Sequence, residues 1–149
     1  MENVALIGID LGKHSFHIHC QDRFGKALLR KKFNRTKLIE SLATFPVCTI
    51  VMEACAGAHY MARRLAEFGH ESKLISPQFV RPFVKSNKND AADAEAICEA
   101  VGRPTMRFVP IKNVEQQSVL SLHCVRQAFV KARTAQANQI RGLLSEFGI

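Results

Sequence analysis

The sequence has few cysteines, and none of them is spaced as part of a ligand pair. The five cysteines are odd in number, scattered along the chain and never arranged as CxxC. This pattern argues against both a disulfide framework and a zinc site. Most of them have apolar neighbours, where a reduced cysteine behaves as a small hydrophobic residue.

Long apolar runs are also missing. No stretch approaches the roughly 20 apolar residues that a helix needs to cross a bilayer. The opening residues Met1-Glu2-Asn3 lack a basic n-region, and the apolar run that follows is short, so no signal peptide is expected. We therefore expect no membrane partner and a location in the reducing cytoplasm.

Acidic residues are outnumbered by basic ones. The 149 residues include 21 Lys or Arg and 13 Asp or Glu, giving a formal charge of +8, and 47% of them are hydrophobic. The length fits one globular domain with an appendage. Residues 102–149 hold seven Lys or Arg against two Glu. A basic balance suggests a polyanionic partner such as nucleic acid, although charge alone is a weak indication.

Two apolar runs of the sequence each end in an acidic residue. Residues 4–10 (VALIGID) end in Asp10, and residues 48–52 (CTIVM) are followed by Glu53. Such runs predict strands that are buried on both faces. The first three predicted strands form an antiparallel meander, and helices alternate with strands after it. This order predicts an α/β fold with a mixed sheet covered by helices.

Four carboxylates are expected to converge in this fold. The first and fourth strands can lie side by side and parallel, which brings Asp10 and Glu53 to one edge of the sheet. Asp90 and Asp93 begin a predicted helix and share a face, with Cβ atoms about 5–6 Å apart. Such close carboxylates repel each other unless a cation or proton lies between them. Together the four predict a two-Mg²⁺ site acting on a phosphodiester, although each acid alone also fits a cap, a turn or a salt bridge.

A long helical pattern occupies the end of the chain. Apolar residues at three- and four-residue steps predict a helix from about Val114 to Phe147, interrupted at Gln136. A helix of about 30 residues is roughly 45 Å long, too long to bury its apolar stripe on so small a domain. We expect a coiled-coil-like arm that pairs in a homodimer or higher oligomer. The alternative is two helices broken near Gln136. The predicted boundary separates residues 1–104 from a linker and arm at 105–149.

Several polar side chains are candidates for nucleic-acid binding. Basic loop residues beside a metal site are well placed to contact phosphates, and arginines on the long helix are a further set. The candidates are Lys13, Lys85, Lys88, Asn89, Arg126, Arg133 and Arg141. By contrast, His14, His17 and His19 are predicted to be exposed strand residues, since their spacing places no third metal ligand.

Four segments of the chain resemble one known family. GIDLGKHSF, VMEACAG, KSNKNDAADAEAI and QANQIRGLLSEFGI are similar to the N-terminal half of the DEDD transposases, the insertion-sequence one-ten family, which is related to the Piv DNA invertase and includes bridge-RNA-guided recombinases. The resemblance covers essentially the whole chain. It implies a RuvC-like, RNase H-type fold with Asp10, Glu53, Asp90 and Asp93 as the catalytic, metal-binding tetrad. It also implies Mg²⁺ dependence, with Mn²⁺ as a substitute, and recombination of DNA chosen by a guide RNA.

One departure from the family concerns the nucleophile. Family members continue into a C-terminal domain that supplies a serine, and this chain stops at Ile149. We therefore expect the chain to bind metal and nucleic acid without recombining DNA by itself. The alternatives are a RuvC- or YqgF-like Holliday-junction nuclease and a non-catalytic, basic nucleic-acid-binding module that dimerises through its helix. GIDLGKHS also resembles the first phosphate loop of actin-like ATPases, but the chain is too short for their two lobes.

Overall fold

A six-stranded sheet organises the first part of the chain. The computed structural model describes residues 3–84 and 90–149, with the side chains of residues 90 and 91 left out. The strands are β1 (Leu6–Leu11), β2 (Phe16–Gln21), β3 (Ala27–Phe33), β4 (Thr49–Glu53), β5 (Glu71–Ile75) and β6 (Phe108–Val109).

Helices follow the strands in alternation after the meander. They are α1 (Arg35–Thr44), α2 (Ala58–Glu67), α3 (Pro77–Val80), which continues into a 3-10 turn, α4 (Asp90–Val101) and α5 (Val114–Ser145). The Asn34 side chain caps α1 by accepting a hydrogen bond of 2.9 Å from the Lys37 backbone N–H. Gly57 precedes α2 with a φ of 87°, a left-handed conformation that favours glycine.

The order of strands across the sheet is β3-β2-β1-β4-β5-β6. β1, β2 and β3 pair antiparallel, β4 lies parallel to β1, and β5 lies parallel to β4. β6 pairs antiparallel with β5 at the far edge. The predicted RNase H-like, RuvC-type mixed sheet with flanking helices and a long C-terminal helix is therefore confirmed.

The sheet is covered by helices on both faces. On one face, strand residues such as Ile7 and Met52 pack with buried residues of α1 and α2, including Leu42 and Leu65. On the other face, Val51 and its neighbours pack with α3 and α4. Because both faces are covered, the middle residues of β1 and β4 are apolar, and Asp10 and Glu53 lie near the strand ends.

The cysteines behave as the sequence predicts. All five are free thiols, and Cys20, Cys48 and Cys98 are buried. Burial raises the pKa of the Cys20 thiol and of the Cys98 thiol to about 12. These side chains are therefore neutral packing groups rather than nucleophiles or ligands.

The chain divides into two compact units, Met1–Ile111 and Lys112–Ile149. The first unit extends past residue 104, the predicted boundary, because β6 pairs with β5. In the second unit α5 is one continuous helix, so the alternative of a break near Gln136 is wrong. Within the described parts of the chain, no helix is both long and apolar enough to span a membrane.

The prediction that His17 and His19 are exposed is wrong. His19 is buried with 1% exposure, and the His17 side chain is only 13% exposed. The cause is α4, which covers this face of β2: the Cys98 Sγ lies 3.6 Å from the His19 carbonyl oxygen. Alternation along β2 correctly predicts its two faces, but it does not reveal that a helix from later in the chain covers the second one.

Candidate active site

Asp10 and Glu53 lie at the same edge of the sheet. β1 and β4 are neighbours and run parallel, with Ile9 opposite Met52. Asp10 and Glu53 are the next residue on each strand, so both project where the strands end. The sequence-based expectation for this pair of strands is confirmed.

The helix α4 brings Asp93 toward this edge through a close contact at Gly8. A Cβ atom at Gly8 would lie 2.4 Å from the Ala94 carbonyl oxygen and 2.6 Å from the Cys98 Sγ. No side chain fits in that space, so glycine is required for α4 to approach β1 this closely. Asp93 immediately precedes the contact point, which explains why it lies within electrostatic range of Glu53.

The Glu53 carboxylate is costly to ionise, because it is partly buried and two other acids act on it. The pKa of Glu53 is raised, first by burial and then by the negative charges of Asp10 and Asp93, while Arg81 acts in the opposite direction. The pKa of the Cys55 thiol is also raised, by burial and by Glu53 and Asp10. The edge of the sheet is therefore a site of concentrated negative charge.

His17 is a neighbour of the site that sequence reasoning missed. It lies directly opposite Asp10 in the β1–β2 pair, and its Nδ1 is 3.9 Å from the Asp10 Oδ2. The register of the β1–β2 hairpin places His17 beside Asp10, and the sequence alone does not define that register. Arg81 was also missed, because it is distant in sequence from the acids that it faces. Gly8 could have been found, since a glycine inside a strand often marks a close backbone approach.

The donor chemistry of this edge fits a hard divalent cation. Carboxylate oxygens are the ligands that Mg²⁺ prefers, and a bound cation would relieve the repulsion that raises the Glu53 pKa. Among the side chains that the structure describes, no three His, Cys, Asp or Glu lie close enough together to hold an ion. The Asp90 side chain is not among them, so the four-carboxylate site stays a prediction.

The structure describes some of the remaining site candidates and not others. Asp90 is the first residue of α4, and Lys85, Lys88 and Asn89 lie outside the described residues. Lys13 is exposed in the turn that follows β1. Exposed positions on α5 carry Arg126, Arg133 and Arg141. Their roles in nucleic-acid binding stay predictions.

The fold and the site together define a class of protein. An antiparallel meander extended by parallel strands, with acids at the ends of β1 and β4, is the RNase H-like architecture that the sequence predicts. The family model of the DEDD transposases of the IS110 type, described as "Transposase", matches residues 7–149. The chain belongs to this transposase family.

Curated relatives agree with this assignment. The transposase for insertion sequence element IS1328 of Yersinia enterocolitica is 60% identical over 149 residues, which is 100% of this chain and 45% of that protein. A probable family 20 transposase of Pseudomonas aeruginosa is 51% identical over 147 residues, 99% of this chain and 44% of the relative. The chain therefore spans less than half the length of these relatives.

Among solved structures, the chain is similar to RuvC of Thermus thermophilus. The similarity has a TM-score of 0.46 and 12% sequence identity, and it covers 70% of this chain and 99% of the RuvC chain.

Proposed function

We propose that this chain is the N-terminal, metal-binding part of a transposase that cuts and rejoins DNA with Mg²⁺, for which Mn²⁺ can substitute. The observation that carries the proposal is the parallel pairing of β1 and β4, at whose ends Asp10 and Glu53 lie, beneath α4, which carries Asp93 and contacts Gly8. The charges of Asp10 and Asp93 add to burial in raising the pKa of Glu53. A carboxylate whose pKa is perturbed by burial and by neighbouring charges is a candidate for a functional site.

Each side chain at the edge has a distinct role in this proposal. Asp10, Glu53 and Asp93, together with Asp90, would hold the cation. When bound, the cation would neutralise negative charge at the phosphodiester, which carboxylates alone would repel. His17, beside the Asp10 carboxylate, would limit its rotation.

The rest of the reaction is proposed to need protein beyond this chain. The serine nucleophile would come from a C-terminal domain, so the chain by itself should not join DNA. A guide RNA would select the target, as the family resemblance implies. The continuous helix α5 would pair with a second copy, because apolar residues such as Leu122, Phe129 and Leu143 are 72%, 72% and 60% exposed along it.

The experiment is strand exchange by the complete transposase with its RNA and DNA, in Mg²⁺, Mn²⁺ and EDTA. Asp10→Asn, Glu53→Gln and Asp93→Asn should each lower the rate by on the order of a hundredfold or more, a cost typical of losing stabilisation of transition-state charge. Glu40→Gln, an exposed position on α1, is the matched control and should retain the wild-type rate.

Two outcomes would contradict the proposal. Wild-type activity in Glu53→Gln would show that the converging acids are structural. Recombination by the 149-residue chain alone would show that no second domain is needed, and nicking of branched DNA by that chain would favour the junction nuclease instead.

A further inference from the structure

The basic residues of the first unit are concentrated in one segment. Between Asp22 and Glu40 the chain has seven Lys or Arg and no Asp or Glu, whereas the whole chain has a formal charge of +8. All seven are exposed. We call them the β3 cationic surface: Arg23, Lys26, Arg30, Lys31, Lys32, Arg35 and Lys37.

This surface follows β3, the strand at the lateral edge of the sheet, which is a different place from the strand ends that carry the carboxylates. β3 is the first strand in the sheet order, with β2 as its neighbour on one side. Charged residues on an edge strand can serve simply to prevent pairing with another chain. That role needs one or two lysines within the strand, whereas here the charges extend into the preceding turn and into α1. The excess requires a different explanation.

Aromatic rings hold several of these cations in place. The Arg23 guanidinium lies 4.7 Å from the centroid of the Phe24 ring, and the Lys31 Nζ lies 5.0 Å from that of Phe33. The Arg35 guanidinium lies 5.6 Å from the Phe16 ring. Such contacts restrict the side chains without neutralising their charge, so the surface presents ordered positive charge to solvent.

Carboxylates neutralise little of this charge. In the part of the chain that the structure describes, Arg30 is the one member of the surface with an acidic partner, Glu95, at 2.7 Å. A cluster of cations without acidic partners creates a strong positive potential, which attracts polyanions and raises their rate of association.

The register of the sheet connects this surface to the carboxylate edge. Lys32 pairs with His17, and His17 pairs with Asp10, so these three residues lie in one row on one face. Strands are spaced about 4.8 Å apart, which places Lys32 roughly 10 Å from Asp10 across the sheet. A nucleic-acid strand at the carboxylate edge can therefore reach Lys32 one or two phosphates away.

We propose that the β3 cationic surface binds the phosphate backbone of the duplex DNA that lies at the carboxylate edge. The inference rests on the proposed function for its choice of DNA, because Lys32 lies in the same row as Asp10. Lys and Arg contacts to phosphates position a duplex without reading its sequence. The surface therefore supplies affinity and orientation, and the carboxylates supply the chemistry.

The test measures binding of the 149-residue chain to mixed-sequence duplex DNA. Fluorescence anisotropy is used, in EDTA and over a range of salt concentrations. Lys31→Gln/Lys32→Gln should weaken binding by on the order of tenfold at 0.1 M salt and reduce the slope of log K against log salt by about 2. Lys31→Arg/Lys32→Arg should restore both values. EDTA removes divalent cations, so binding measured in it is separate from the metal chemistry.

A control removes the same charge from another part of the first unit. Arg63→Gln/Arg64→Gln, on α2, should leave the salt slope within experimental error of wild type. An equal loss in this control would show that net charge alone drives binding, and the proposal would be wrong. Duplex RNA that depends on Lys31 and Lys32, with duplex DNA that does not, would also overturn it.

A second variant protects the test against misfolding of the strand. Lys26→Gln/Lys37→Gln alters the turn before β3 and the helix after it, without changing the strand itself. It should lower the DNA affinity and reduce the salt slope, as the Lys31→Gln/Lys32→Gln variant does. Unchanged binding in this variant, with an unchanged melting temperature, would exclude the extended surface.

Discussion

Two neighbouring rows of residues on one face of the sheet differ sharply in how their polar groups are satisfied. In the first row Gly8, His19 and Arg30 lie side by side on β1, β2 and β3. In the second row, two residues nearer the end of β1, Asp10 lies beside His17. Both rows face α4, yet one is a closed polar network and the other adjoins a cluster of like charges.

The His19 row pairs its polar groups within the protein. The Arg30 Nε donates to the His19 Nδ1 at 3.1 Å, and the Gln21 side-chain amide lies 3.1 Å from the other ring nitrogen. The same arginine donates to Glu95 at 2.7 Å, which connects β3 to α4. Burial, followed by the positive charge of Arg30, lowers the pKa of His19. A neutral imidazole with partners at both nitrogens is a structural group.

The Asp10 row adjoins charges of the same sign. Glu53 has a raised pKa because it is buried beside Asp10 and Asp93, an arrangement that lowers the stability of the fold. Proteins concentrate such unfavourable charges where a ligand offsets them. The difference between the rows is that the polar groups of one have partners inside the protein, whereas Glu53 beside the other keeps a raised pKa.

The largest effect on stability is expected from removing the close contact on which both rows depend. Gly8→Ala should lower the free energy of unfolding by about 2–3 kcal/mol, because the new Cβ meets the Ala94 backbone oxygen at 2.4 Å and α4 must shift. Gly142→Ala, where a Cβ meets nothing within 4 Å, should instead stabilise α5 by up to about 1 kcal/mol. Urea denaturation measures both. Equal stability of Gly8→Ala and wild type would mean that α4 does not pack as described.

A smaller loss is expected from opening the closed network. Arg30→Met leaves the His19 Nδ1 without its donor and should cost about 1–2 kcal/mol. Lys32→Met, at the neighbouring exposed position of β3, is the matched control and should stay within about 0.5 kcal/mol of wild type. Similar losses in the two variants, measured by urea denaturation, would remove the distinction between the rows.

At the carboxylate edge, a substitution that removes a charge should raise the stability of the fold rather than lower it. With a folded-state pKa above its usual 4.5, Glu53 binds protons more tightly in the folded state, so stability falls as pH rises through that range. Glu53→Gln should therefore raise Tm at pH 7 in EDTA by a small amount, roughly 1–2 °C, because solvent screens part of the repulsion. Added Mg²⁺ should raise the Tm of wild type more than that of the variant.

A control variant on β5 should change Tm in the opposite direction. Hydrogen bonds from Thr49 and Lys73 lower the pKa of Glu71, so its charge is favourable in the folded protein. Glu71→Gln should therefore lower Tm slightly at pH 7. A fall in Tm for Glu53→Gln in EDTA would contradict the repulsion argument.

The smallest effect expected is a pH dependence from His19. Its folded pKa lies below 6.5, so the unfolded chain takes up the proton first and stability is lost as pH falls below about 6.5. His19→Gln should flatten this part of the profile of urea midpoint against pH. His14→Gln, at an exposed position, should leave the profile unchanged, and a flattened profile there would point to general charge effects.

Much of the site could be predicted from local patterns. Apolar runs that end in Asp10 and Glu53 indicate buried strands with acids at one edge, and the sequence order of strands and helices predicts their parallel pairing. The three-residue spacing of Asp90 and Asp93 predicts a shared helix face. The strand ends and the helix face depend on neighbours in sequence, and the pairing of β1 with β4 follows from the order of the strands and helices.

Other features could not be predicted because they depend on register and on long-range packing. Nothing local to β2 shows that α4 covers it, so His19 seemed exposed although it is buried. The row that joins Lys32, His17 and Asp10 exists only because two hairpins close with a particular register.

The sequence by itself determined the strands, the helices, the acidic strand ends and the basic segment between Asp22 and Glu40. These features depend only on the hydrophobicity and charge of residues close together in the chain. The tertiary structure decided which charges are near one another. It placed Asp10 and Glu53 at the ends of neighbouring parallel strands, packed α4 over Gly8 next to Asp93, and set Lys32 in the same row as Asp10. The physical reason is that electrostatic energy depends on distance in space, whereas sequence patterns record only distance along the chain.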